Sequence, residues 1–148
     1  MMGQLFEDIL IGEQITTPAR TITETDVVQF AQLTGDFNPL HTDHVYARHS
    51  SFKAPIAHGL LGLGIATGLV ARLGIFDEAT TAFLAIENWS FKHPIFFGDT
   101  IHVQITVLNK RDTKDGKHGI VYRQLNVINH RDELVQTGVF VAMIKKRI

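Results

Sequence analysis

From Gly59 to Ala71 the chain reads GLLGLGIATGLVA, and no charge follows until Arg72. Apolar residues fall on every side of a helical wheel, which predicts a buried helix. The run is too short to cross a bilayer, for which about 20 apolar residues are needed. Gly62, Gly64 and Gly68 each cost roughly 1 kcal/mol against alanine in a helix interior. That cost predicts a neighbouring backbone pressed close to the helix, such as a sheet wrapped round it. Gly62-x-Gly64 is followed by Gly68, one residue too far for a dinucleotide fingerprint, and no βαβ pattern surrounds it. The rest of the chain must therefore cover one helix. Its 148 residues are enough for a single domain, 1–148, with a real core.

The cover is legible on both sides of that run. Residues Gln14 to Ile22 are rich in Thr and Ile and read as a first strand interrupted by Pro18. Thr23-Glu24-Thr25-Asp26 has the form of a helix cap, and Val27, Phe30, Ala31 and Thr34 recur at helical spacing until Gly35 stops them. A second short helix is expected from His41 to Arg48, with His41 and His44 near one face. Past Thr80, strands are predicted at Thr81–Lys92, Thr100–Lys110, Gly119–Asn129 and Glu133–Lys146. Phe97-Gly98-Asp99, Asp115-Gly116 and Asn129–Asp132 divide them as turns. Connections this short imply antiparallel neighbours. The expected class is α+β: one strand, the buried helix, then a four-strand antiparallel meander.

Composition removes several function classes. The net charge is −1 and only Lys145-Lys146-Arg147 cluster, which argues against nucleic acid as a partner. There is no cysteine, hence no disulfide, thiol nucleophile or thiolate metal site. The opening MMGQLFEDIL has early acids and no basic region before an apolar core, unlike a signal peptide. A cytoplasmic protein without a membrane partner is expected.

Ahead of the apolar run stand Asp36, Asn38 and His41, arranged as Asp-x-Asn-Pro-x-His. Pro39 fixes its own φ and pushes Asn38 towards an extended conformation, so the backbone is stiff where these side chains leave it. One reading is an Asx turn opening a helix near Leu40, with His41 in solvent. The other is a carboxylate and an imidazole held for proton transfer. The following helix start favours the second reading. Its unpaired N–H groups and macrodipole suit negative charge, and Gly59 lets a substrate come close to the backbone. An enolate oxygen beside a thioester carbonyl is such a charge. His41, His44 and His49 lack the spacing of a zinc set, so no metal is expected. Ser50-Ser51 sit in no nucleophile elbow.

Asp36-Phe37-Asn38-Pro39-Leu40-His41, followed by Pro55-Ile56-Ala57-His58-Gly59, resembles the MaoC-like family of (R)-specific enoyl-CoA hydratases. Phe91-Lys92-His93-Pro94-Ile95-Phe96-Phe97-Gly98-Asp99-Thr100 is similar to the family's strand and turn after the central helix. The order of elements fits from about Glu13 to the C-terminus. The resemblance implies a hot-dog fold, a curved antiparallel sheet wrapped round one long helix, and a homodimer that joins two sheet edges. It implies Asp36 and His41 as the catalytic pair, with Gly59 N–H polarising a thioester carbonyl. Asn38 would support the loop. Thr67 falls where the family often has a serine.

The implied reaction is addition of water to a trans-2-enoyl-CoA to give the (R)-3-hydroxyacyl-CoA, or its reverse. Coenzyme A would be part of the substrate, and no further cofactor is needed. The rival enzyme is a hot-dog thioesterase, and the rival of another class is a non-catalytic acyl-CoA binder. The His-Phe-Pro signature of acyl-carrier-protein dehydratases is absent. Arg48, Lys53 and Lys92 are the candidates for meeting the coenzyme A phosphates. The acyl chain length is open.

Overall fold

The structure is a computed structural model and describes residues 3–148. Met1 and Met2, the start of the stretch on which the signal-peptide expectation rests, lie outside them. The elements in chain order are β1 (Gln14–Thr16), β2 (Arg20–Thr21), α1 (Glu24–Thr34), α2 (Pro39–Thr42), α3 (His44–His49), α4 (Gly59–Ala71), β3 (Thr80–Phe91), β4 (Thr100–Asp112), β5 (His118–Asn129) and β6 (Leu134–Lys145). Among the described residues no helix is long and apolar enough to cross a membrane.

The split between β1 and β2 falls where Pro18 removes a backbone donor. Thr17 bridges the gap there: its N–H donates to Val103 O, and its hydroxyl accepts from Val103 N–H at 2.9 Å. Tight turns close the later hairpins. Gly116 (φ 68°) joins β4 to β5, and Asp132 (φ 60°) lies between β5 and β6. Both φ values lie in the left-handed region that such turns need.

The sheet order is β1-β4-β5-β6-β3, all antiparallel, with β2 also on β4. This departs from the expected meander of β3 through β6. β3 does not neighbour β4 but crosses to the far side of β6. The connecting segment Lys92–Asp99 is too long for a tight hairpin. It runs past the entry of α4, where Ala57 N–H donates to Ile95 O at 2.8 Å and Ile56 bridges Phe96.

Leu61, Ile65, Ala66 and Leu69 of α4 pack on Ile101, Val103, Ile105, Leu125, Val127, Val135 and Phe140 of the sheet. An antiparallel sheet folded over one central helix is the hot-dog arrangement. The helix is not buried all round, however. Leu60 is 62% exposed, and Gly64, Gly68 and Ala71 lie with it on an outer face. Nor do all three interior glycines mark close approach. A methyl on Gly62 would collide with the side chains of Gln136 and Ile95, whereas Gly64 and Gly68 face open space. β3 is an edge strand, and it bears exposed Phe83, Leu84, Ile86 and Phe91.

Candidate active site

The site is assembled by caps. Thr23 closes a capping box with Asp26 at the start of α1, and Gly35, at φ 79°, ends that helix. The chain then turns into Asp36, whose Oδ1 accepts from Asn38 N–H at 3.2 Å. Asn38 is the N-cap of α2: its Oδ1 accepts from Leu40 N–H at 3.0 Å, and Pro39 follows at the first helical position. Both readings of the Asp-Asn-Pro-His stretch therefore describe the same object, an Asx turn that holds Asp36 and His41 on one stiff loop. The expected helix from His41 to Arg48 is two helices instead. Asp43 breaks it by capping α3, accepting from Val45 and Tyr46 N–H. His44 consequently turns away from His41 and meets Glu24 of α1 at 2.7 Å.

His41 Nδ1 lies 2.7 Å from Ile56 O. A carbonyl only accepts, so Nδ1 carries the hydrogen and the ring's Nε2 remains for other work. Asp36, His41 and His58 each offer an atom within 4.8 Å of the others. His58 is 3% exposed, and its Nε2–H donates to the Asp36 carbonyl at 2.9 Å. Its ring lies 3.9 Å from that of His41, tilted 30°, and 4.7 Å from that of Phe30. His58 thus fixes both partners, Asp36 through its backbone and His41 through ring contact. As for a metal, lone pairs of imidazole lie in the ring plane, and two rings nearly stacked do not point them at one ion. His58 also spends Nε2 on a carbonyl. The trio fits proton handling better than ligation.

Gly59 is the first residue of α4, with His58 as its cap. Intrahelical bonding begins with Leu61 and Gly62 donating to His58 O, so the N–H of Gly59 precedes it. A cleft of about 510 Å³ opens here, within the usual size of ligand pockets. His41, Gly59, Phe91 and Gln136 line it, and Asp36 stands on its His41 side. Lys92 lines it too; Arg48 and Lys53 do not. Gln136, 2% exposed, ties the site to the sheet. Its Nε2–H donates to Gly59 O at 3.1 Å, and its Oε1 accepts from Trp89 Nε1–H at 3.2 Å.

Asp36, Asn38, His41 and Gly59 are thus brought together. Thr67 is not. It lies two turns along α4, its hydroxyl donates to Leu63 and Gly64 carbonyls, and it lines a different cleft. Sequence reasoning missed His58 and Gln136 as members of the site. The signal for His58 was a polar residue alone between apolar neighbours just ahead of a helix. Gln136 had none, because alternation in a strand does not say which polar residue turns inward.

Residues 8–128 match the family model described as the MaoC like domain. The chain belongs to this family. Over 102 residues it is 38% identical to the (R)-specific enoyl-CoA hydratase of Rhodospirillum rubrum, covering 69% of this chain and 68% of that one. It is 38% identical over 105 residues to Protein MaoC of Klebsiella aerogenes, a match covering 71% of this chain but 31% of that protein. Among solved structures, the monoamine oxidase regulatory protein from Archaeoglobus fulgius superposes with a TM-score of 0.93 at 43% identity. That match covers 100% of this chain and 98% of the other. This MaoC-like chain continues its sheet through β6, beyond the matched residues, and β6 supplies Gln136.

Proposed function

We propose that this MaoC-like protein hydrates trans-2-enoyl-CoA thioesters to (R)-3-hydroxyacyl-CoA, and catalyses the reverse dehydration. The observation that carries the reading is the pairing of Asp36 with a His41 whose Nε2 is left available, at the foot of a helix that offers the Gly59 N–H. A water bonded to both side chains needs about 2.8 Å to each, and side chains whose polar atoms come within 4.8 Å of one another can share one. Water donates one hydrogen to His41 Nε2, which orients it, and loses the other to the Asp36 carboxylate. Its oxygen bonds C3, and the double-bond electrons move to the thioester oxygen. Gly59 N–H donates to that enolate. The proton held by the pair then goes to C2, which restores Asp36 and gives the 3-hydroxy thioester. Asn38 serves by holding the turn.

The substrate class and the (R) hand follow from likeness to the Rhodospirillum rubrum hydratase. We place the working form as a homodimer joined through β3. Support comes from the exposed apolar side chains of edge strand β3 and from the exposed Leu60–Gly64–Gly68 face of α4. Incubation with crotonyl-CoA should consume the enoyl absorbance without releasing thiol. Free coenzyme A would identify a thioesterase instead, and no change in either signal a binder. Coupling to an (S)-specific hydroxyacyl-CoA dehydrogenase should give no NADH; strong NADH formation would refute the assigned hand.

A further inference from the structure

The far end of α4 carries a polar group that the hydration chemistry does not use. Arg123 lies in β5 on the face turned towards the helix, in alternation with buried Val121 and Leu125. It is 6% exposed, and its Nε and Nη2 are buried with no hydrogen-bond partner among the described residues. The guanidinium stands 4.2 Å over the Phe76 ring. Burial pushes it down to about 10, against a smaller opposing pull from the Glu13 carboxylate, so it stays charged at neutral pH. The described residues contain no ion pair between the two side chains. A buried guanidinium is strongly unfavourable unless an anion and hydrogen-bond acceptors meet it.

Arg123 lines a cleft of about 350 Å³. Val70, Phe76, Leu125 and Phe140 give it apolar walls. Thr80 lines it as well, and its Oγ1 is likewise buried without a partner among the described residues. Two side chains with unpartnered polar atoms therefore line one apolar cleft. Asp77 at the margin is exposed, where water and salt weaken its repulsion of an anion.

We infer that this cleft binds an aliphatic carboxylate, with Arg123 taking the two oxygens and the apolar walls taking the hydrocarbon. The planar guanidinium fork matches a carboxylate in two parallel bonds. Such a ligand has two sources. It is a free fatty acid, or it is the far end of a thioester acyl chain that carries its own carboxylate. The second source rests on the function proposed above; the first does not.

Calorimetry with the full-length protein separates these. Wild type should bind octanoate about tenfold or more tightly than 1-octanol, because only the acid makes charge-assisted bonds. Arg123→Met, which keeps length and apolar bulk, should remove that preference while still binding octanol. The ratio of kcat/KM for a carboxyl-ended enoyl-CoA over a methyl-ended one of equal length identifies the source. A fall of about tenfold in Arg123→Met assigns the anion to the acyl chain. An unchanged ratio with lost octanoate preference assigns it to a free acid. Equal affinity of wild type for octanoate and octanol, together with no wild-type preference for the carboxyl-ended thioester, overturns the inference even if the variant fails to fold. So does an Arg123→Met protein that is folded yet unchanged in both measurements, or one that loses its dimer while wild type ignores octanoate.

Discussion

The two ends of α4 treat polar groups in opposite ways. At the N-terminal end the polar side chains are held by one another or by backbone: Asn38 N–H on Asp36, Ile56 O on His41, Asp36 O on His58, Gly59 O and Trp89 on Gln136. At the C-terminal end Arg123 Nε and Nη2 and Thr80 Oγ1 find no partner among the described residues, a state that His58 Nδ1 alone shares at the first end. The first pattern fixes geometry before any ligand arrives, as stabilising a short-lived charge requires. The second leaves bonding capacity for the ligand itself. Orientation is built at one end and recognition at the other.

The largest effect should come from removing a proton carrier at the ordered end. Asp36→Asn keeps the shape of the turn and should lower the hydration rate by about 10² to 10⁴. Stopped assays on the folded variant decide this, and near wild-type turnover would exclude Asp36 from the chemistry. His41→Ala should do similar damage, and the double variant should be little worse than either, since the pair acts as a unit.

Next in size is the backbone donor. Gly59 occupies the first helical position, where proline is tolerated, so Gly59→Pro should spare α4 and delete the N–H. Its cost in kcat should be about 10² to 10³. Gly59→Ala is a close control, because a Cβ in either variant meets Phe91 Cε1 at 2.7 Å and must displace that ring. Equal activities of the two folded variants would place the polarising group elsewhere.

A smaller effect tests the fastening. Gln136→Met fills similar volume but strands the Trp89 N–H and removes a second donor from the Gly59 carbonyl, which should cost about 1–3 kcal/mol in urea unfolding. Its loss of kcat should stay below that of Gly59→Pro, because the donor remains. A kcat loss as large as that of Gly59→Pro would make Gln136 more than a fastening.

The smallest effect lies remote from both ends. In the β4–β5 turn the Thr113 hydroxyl, then His118, hold the Asp115 carboxyl well below the usual carboxylate range. A depressed acid stabilises the fold above its unfolded pKa and loses that contribution as pH falls. Asp115→Asn should therefore melt slightly below wild type at pH 7, and the gap should close progressively below about pH 4. A gap that widens in acid would reverse the sign of this linkage.

How much of this was legible depends on range. The strand expected at Thr100–Lys110, which runs to Asp112, follows from alternation between turn residues, which is local information. Pro18, Gly35 and the Asn38 cap are local too, and so the loop presenting Asp36 and His41 could be read directly. The placing of β3 beside β6 could not, because the Lys92–Asp99 segment has no signal that says which edge it travels to. The exposed face of α4 misled for a related reason: an apolar wheel states that the surface avoids water, without saying what covers it. Thr67 was carried over from likeness, and helix geometry puts it at the other cleft.

The strand order also sets the sequence in which the molecule can be built. β4, β5 and β6 are joined by tight turns and pair with the next strand along, so their loops close at low entropic cost. β3 pairs with β6 across the whole of that unit, and β1 with β4 from beyond α4. Gly59, Trp89 and Gln136 meet only when β3 and α4 have docked on the finished hairpins. Backbone protection during refolding should accordingly rise in β5 first, and hydratase turnover should lag behind it.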